Sequence, residues 1–338
     1  DTTAIAGTLS LSNFVDSGSS SSDNISNDNN FDLTISGNEA GSTVVYEVST
    51  NGGTTWITTT TAQSGLVDGT YSFRAIVTDV AGNTATTAVQ TVTVDRTSPT
   101  TPSVAPSSYD DNVGSIQSTT STATSTDDNK PGINVGTGLT DTPSLYVDGV
   151  KVDSVYDPLT GTLTPTTAIT DGTHTFGYSL TDSSGNESGV SPTLSVTVDT
   201  TAIAGTLSLS NFVDSGSSSS DNISNDNNFD LTISGNEAGS TVVYEVSTNG
   251  GTTWITTTTA QSGLVDGTYS FRAIVTDVAG NTATTAVQTI VIDTTPPTAT
   301  LGMVPTQVKL EATGVTNGDD YYPQITAVGS SGEYVVTY

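Results

Sequence analysis

Asp68-Gly69-Thr70-Tyr71-Ser72-Phe73-Arg74-Ala75-Ile76-Val77-Thr78-Asp79-Val80-Ala81-Gly82-Asn83 is the stretch that decides the fold. Tyr71, Phe73, Ala75 and Val77 are apolar at every second position. Side chains of an extended chain alternate between faces, so these four form one inward-facing row on a long strand. Asp68-Gly69 precedes the row and Gly82-Asn83 follows it, both of them turn formers. Outward from this strand the same period of two recurs. Leu9 and Leu11 share one face, as do Phe31, Leu33 and Ile35, and then Val44, Tyr46 and Val48. Asn51-Gly52-Gly53 supplies a hairpin turn, because these residues tolerate the positive φ that tight hairpins require, and the chain returns through Trp56. A last strand is predicted from Thr87 to Val94. About seven short strands with no helical period describe an all-β sandwich of immunoglobulin-like type. Leu66-x-Asp68-Gly69-x-Tyr71 further resembles a tyrosine corner, with Tyr71 entering the penultimate strand.

Residues 1–91 recur without change as residues 199–289. A unit copied verbatim is a module of a tandem array. The segment between the copies keeps the landmarks as Asp171-Gly172-Thr-His174-Thr-Phe176 and Leu180-Thr-Asp182-Ser-Ser-Gly185-Asn186. The boundaries read as 1–95, 96–198 (divergent), 199–293, and a remainder 294–338. The modules are expected to follow one another as an extended rod. Repetition of this kind suits a function that scales with copy number, such as length or stiffness, better than it suits catalysis.

Composition narrows the class. Of 338 residues, 35 are Asp or Glu against 6 Lys or Arg, a formal net charge of −29. Nucleic acid and anionic membrane surfaces are disfavoured as partners, since such a chain repels phosphates. The carboxylates call for a multivalent cation instead. Cysteine is absent, which excludes disulfides and thiolate metal sites. No run of 18 apolar residues and no leader is visible in the sequence. Because the chain opens on Asp1, matching the boundary residues Asp95, Asp199 and Asp293, it reads as a piece of a longer secreted protein.

Four features together carry a family resemblance. They are Thr78-Asp79-Val-Ala-Gly82-Asn83, its copy Thr276-Asp277-Val-Ala-Gly280-Asn281, the linkers Val94-Asp95-x-Thr97-x-Pro99 and Asp293-Thr-Thr295-Pro296-Pro297, and the Ser/Asp-rich stretch after the first strand. On these, residues 1–296 resemble the bacterial immunoglobulin-like repeats of giant surface adhesins secreted by the type I pathway, RTX adhesins included. The resemblance implies a calcium-rigidified extender on the bacterial cell surface, holding an adhesive tip away from the envelope for adhesion or biofilm formation. Its partners would be neighbouring modules of the same, monomeric chain, with any glycan or host-surface ligand met by other domains.

Two sets of oxygen ligands are candidates for calcium, which takes six to eight oxygens from carboxylates, amides, carbonyls and water. The first lies in the long loop after the first strand. In the first module it comprises Asp16, Asp23 and Asp28 with Asn27, and in the third Asp214, Asp221 and Asp226 with Asn225. Asp110, Asp111, Asp127 and Asp128 are the counterparts in the second. Ile25, apolar in a polar stretch, is expected to anchor this loop. The bland alternative is a solvated polar loop. The second set follows from sandwich topology, which gathers two loops at the pole where the chain enters a module. It groups Glu39, Asp79 and Asn83 around Asp1; Asp182 and Asn186 around Asp95; and Glu237, Asp277 and Asn281 around Asp199, with Asp293 closing the third module. An Asx turn is the alternative for Asp79 and Asn83.

Catalysis finds little support. The one histidine, His174, alternates with Phe176 on a strand, and zinc-helix, nucleophile-elbow and phosphate-loop motifs are all missing. The competing function is carbohydrate or protein capture through Trp56 and Trp254, whose bland role is packing beneath a hairpin. The segment from Tyr321 to Tyr338 reads as a hairpin strand pair that begins a further, truncated β domain.

Overall fold

The computed structural model describes residues 2–298 and the strands Gln324–Val328 and Glu333–Thr337. Asp1 lies outside the described residues. Residues 1–294 form one unit of mutual contacts and residues 295–338 another. In the second, Gln324–Val328 pairs antiparallel with Glu333–Thr337, as the hairpin reading expects.

No helix occurs among the described residues, and each module is a sandwich of two sheets. In the first module, Thr8–Ser12, Phe31–Ser36 and Ala62–Gln63 make one sheet. The other is built from Ile25–Ser26, Gln90–Val94, Gly69–Thr78, Thr43–Ser49 and Ile57–Thr59, with Thr84–Thr86 also paired to Gly69–Thr78. Phe73, Ala75 and Val77 are fully buried and Tyr71 nearly so, so the alternating row is the spine of the core. Phe31 meets Phe73 edge to face at 5.6 Å between ring centres, and Phe14 meets Phe31 at 5.4 Å. The Tyr71 hydroxyl donates to the Val67 carbonyl at 2.8 Å, which establishes the tyrosine corner, and Tyr269 repeats it on Val265 at 2.9 Å. In the second module His174 occupies that place, and its Nε2 faces the Thr170 carbonyl at 2.8 Å.

Three expectations need correction. The predicted last strand from Thr87 begins only at Gln90–Val94, with a separate short strand Thr84–Thr86 before it, because the Thr87 hydroxyl turns inward and accepts the Ala75 N–H at 2.9 Å. The first module has nine strands, counting the two-residue pieces Ile25–Ser26 and Ala62–Gln63, where about seven were expected. Finally, the long loop is anchored by Ser26 more than by Ile25. Ile25–Ser26 runs parallel to Gln90–Val94 and so carries the loop from one sheet to the other. Ser26 is fully buried, donates to the Val15 carbonyl and accepts from Asp28 N–H, whereas Ile25 stays partly exposed.

Candidate metal centre at the module junctions

The linker aspartates are bonded to the modules on both sides. Asp199 N–H donates to the Thr126 carbonyl of the second module at 2.9 Å. Its own carbonyl accepts the Asn281 side-chain amide of the third at 2.7 Å. Asp95 does the same between the first and second modules, through the Ser26 carbonyl at 2.9 Å and the Asn186 amide at 2.9 Å. The turn that supplies the amide is itself set by an aspartate. Asp277 Oδ1 accepts the N–H groups of Gly280 and Asn281, and Oδ2 accepts the Asn281 side chain. Asp182 holds Ser184 and Asn186 in the same way, and Asp79 holds Asn83. Asp79 and Asn83 thus adopt a turn geometry in which Asn83 bonds the Asp79 carboxylate.

At the second junction these elements bring three acids together. Asp199, Glu237 and Asp277 each place one carboxylate oxygen within 4.8 Å of the others, the only such group among the described residues. Glu237 is positioned by its N–H on the Ile203 carbonyl, and its Oε2 is buried with no hydrogen-bond donor. Burial, and next the charges of Asp199 and Asp277, raise the Glu237 carboxyl above its ordinary pKa. An orphaned buried oxygen among like charges is what a hard cation with oxygen preference would satisfy, so the donor set fits calcium. Glu39 in the first module has the same orphaned Oε2. Asp79 there is lowered by the Asn83 side chain.

The loop acids are arranged otherwise. Asp16 Oδ2 accepts Asn24 N–H, Asp23 Oδ1 accepts Ile25 N–H, and Asp28 takes the N–H groups of Val15 and Asn30. Asp214, Asp221 and Asp226 repeat this pattern. These carboxylates therefore serve to fold the loop backbone. Of them only Asp16 and Asp214 keep an oxygen, Oδ1, that is buried without a partner. Asn27 and Asn225 accept from Ser17 and Ser215.

In the second module the corresponding acids are buried. Asp127 and Asp128 follow Thr126 as Asn27 and Asp28 follow Ser26, and both Thr126 and Ser26 pair with the last strand. Asp111, Asp127 and Asp128 are at most 6% exposed, and Asp127 Oδ1 and Asp128 Oδ2 have no donor. Burial foremost, and neighbouring acids after it, push all three carboxyls upward. One acid acting on Asp127 is Asp277, in the next module. Asp110 pairs with Gly132 in the sheet. Asp293 donates its N–H to the Ser224 carbonyl, as Asp95 does to Ser26.

Each junction is also closed by the loop itself. Ser17 donates to the Ser184 carbonyl at 2.6 Å, while Ser19 and Asn27 direct N–H groups at the Ser183 and Ser184 carbonyls. Ser115 donates to the Gly280 carbonyl at 2.7 Å. Sequence patterning missed these contacts, since nothing in a run of serines marks which hydroxyl meets another module. The tryptophans are not open platforms. The Arg74 guanidinium lies 4.1 Å from the Trp56 ring centre and is itself held by Glu47, and Arg272 covers Trp254 likewise at 4.2 Å.

A profile of the bacterial Ig-like domain matches residues 3–96 and 201–294, together more than half of the chain. The chain belongs to the bacterial Ig-like domain family. Both identical modules are thus bacterial Ig-like domains, and the divergent one between them shares their sandwich plan. No curated protein sequence matches. Among solved structures, the chain is similar to a Ca2+-stabilised adhesin with which an Antarctic bacterium reaches out and binds ice. That likeness has 21% identity over 86% of this chain and 75% of the other, with a TM-score of 0.33. It is similar to a tetra-tandem repeat in the extending region of a large adhesion protein, at 19% identity over 86% and 75%, with a TM-score of 0.25. It is also similar to the FN1–FN3 domains of chicken CNTN1, at 12% identity over 85% and 97%, with a TM-score of 0.31.

Proposed function

We propose that this chain is a calcium-rigidified spacer of a bacterial cell-surface adhesin, with calcium acting where a linker meets the module that follows it. The observation that carries the reading is the meeting of Asp199, Glu237 and Asp277 from a linker and two loops, with Glu237 Oε2 buried and unpartnered. With the site empty, like charges press apart a linker and the loops that must pack on it. A bound calcium ion supplies a positive centre that these oxygens share, and it ties the linker to the third module. Glu237 and Asp277 would contribute from the third module and Asp199 from the linker, while the Asn281 amide holds the Asp199 backbone in place.

Under this reading the protein stands outside the cell, exported by the type I route, and does no catalysis itself. Extracellular modules bind calcium at roughly 0.1 to 1 mM, so the sites stay empty in the cytosol and fill after export. Strands rise about 3.4 Å per residue, which gives each module roughly 40 Å and three modules on the order of 120 Å end to end. Small-angle scattering tests the reading. The expected result in calcium is an elongated particle of that length, and a compact particle would contradict it.

A further inference from the structure

We propose that the two junctions are locked by different means: the one between the second and third modules closes on a divalent cation, and the one between the first and second closes on neutral hydrogen bonds and stays closed without a cation. The inference rests on the calcium reading of Asp199, Glu237 and Asp277.

The first junction lacks the third acid. Glu39 and Glu237 stand four residues before the strands Thr43–Ser49 and Thr241–Ser247, and the residue four before Thr142–Val147 is Gly138. Among the described residues no group of three acids within ligand distance forms here, and Asp95 and Asp182 each accept donors. Ser184 Oγ and Thr97 N–H reach Asp95, while Ser184 N–H and the Asn186 backbone and side-chain amides reach Asp182. Five inter-module hydrogen bonds close this joint: from Ser17, Ser19 and Asn27 to the turn, and from Ser184 and Asn186 to Asp95. Four of the five acceptors are backbone carbonyls, which carry no net charge. The fit is also tight, for a Cβ on Gly18 would lie 1.9 Å from the Ser183 carbonyl oxygen.

The second junction keeps a similar hydrogen-bond set, from Ser115 to Gly280, from Asp127 N–H to Ala279 and from Asn281 to Asp199, but adds acids to it. Where the first has Asn27, it has Asp127, whose N–H donates to the Ala279 carbonyl of the next module at 3.2 Å. Asp127 is 6% exposed, its Oδ1 has no donor, and its Oδ2 would lie 3.1 Å from a Cβ on Gly280. This buried carboxylate, with one oxygen unpartnered, faces the same turn that carries Asp277. Three acids, Asp199, Glu237 and Asp277, therefore lie within ligand distance with Asp127 acting beside them, whereas no such group forms at the first junction, and two of the four residues' oxygens wait for a positive partner. Removing the cation leaves a concentrated negative charge at one joint and a satisfied hydrogen-bond set at the other, so the chain bends at a single place.

The chain has no cysteine, so spin labels can be placed singly on the full-length protein. Thr58→Cys with Leu159→Cys spans the first junction, and Leu159→Cys with Thr256→Cys the second, all three positions being exposed. Distance distributions are recorded by pulsed electron paramagnetic resonance in calcium and in chelator, with calcium binding to the same chain followed by calorimetry. The expected result is a distribution at least twofold broader across the second junction on chelation, with the first unchanged. Asp127→Asn and Glu237→Gln should weaken that response. If calcium binds yet both junctions broaden, or neither does, the inequality is overturned while the calcium reading stands. If calorimetry shows no calcium binding, the underlying reading fails and the inference falls with it.

Discussion

Ser17 and Ser184 lie 167 residues apart and are joined by a 2.6 Å hydrogen bond from the Ser17 hydroxyl to the Ser184 carbonyl. Beside it, Gly18 fits against Ser183 with no room for a methyl group, at φ +96°. Its twin Gly216 has φ +103° and, among the described residues, nothing within 4 Å of an added Cβ. The same substitution at the two glycines therefore separates backbone strain from docking. Gly216→Ala should cost only the strain of a left-handed alanine, about 1–2 kcal/mol. Gly18→Ala should cost that and also widen the distance distribution across the first junction. Equal behaviour of the two variants would show that the docking is not formed in solution.

His174 predicts a pH dependence confined to the second module. Its Nδ1 lies 2.7 Å from Asp148 Oδ2 and its Nε2 2.8 Å from the Thr170 carbonyl. Both partners are acceptors, so only the doubly protonated ring satisfies both. Burial of the ring opposes the charge, but Asp148 and Thr170 overcome it and the pKa is raised. A raised folded pKa means stabilisation that is complete below the unfolded value of about 6.5 and lost as pH rises through the folded one. Denaturant melts from pH 5.5 to 8.5 should show the second module weakening as pH rises. His174→Tyr, which restores the corner of the other modules, should flatten that slope. An unchanged slope would remove the histidine from the account.

The tyrosine corners give a simpler test. Tyr71→Phe removes a single hydroxyl whose acceptor is the Val67 carbonyl. The loss should be about 1 kcal/mol in thermal or denaturant melting, and Tyr269→Phe should match it because the third module repeats the geometry. A cost near zero would mean that the turn, and not the hydroxyl, sets this corner.

The sandwich was legible because its core is written with period two: Tyr71, Phe73, Ala75 and Val77 have no reason to alternate unless one face is buried. The junction acids were legible because linker and turn positions recur in every module. Other features left no trace in the pattern. Ser26 is as buried as any leucine, yet a serine among serines carries no hydropathy signal. Asp127 reads as one more loop acid until the fold sets it against Ala279 and Gly280 of the next module. Gly138, at the place where the identical modules carry glutamate, shows its meaning only once strand register aligns the three modules.

The tryptophans separate the spacer reading from a binding reading. Arg272 stacks on Trp254 and pairs with Glu245, so Trp254→Ala should destabilise the third module through lost packing. Glycan arrays probed with wild-type protein and with this variant should show no difference. Saturable glycan binding lost in the variant, with the module still folded, would favour capture instead.

The central claim is that calcium binds among Asp199, Glu237 and Asp277 and stabilises the chain. Its most direct measurement is thermal melting of wild type and Glu237→Gln across a calcium titration. A site filled at a hundredfold excess over its dissociation constant adds about 2.7 kcal/mol. The account predicts that wild type melts higher in calcium than in chelator, that magnesium substitutes poorly because it holds its water in a tight octahedron, and that Glu237→Gln loses much of the gain. Wild type that melts at the same temperature in millimolar calcium and in chelator would contradict it.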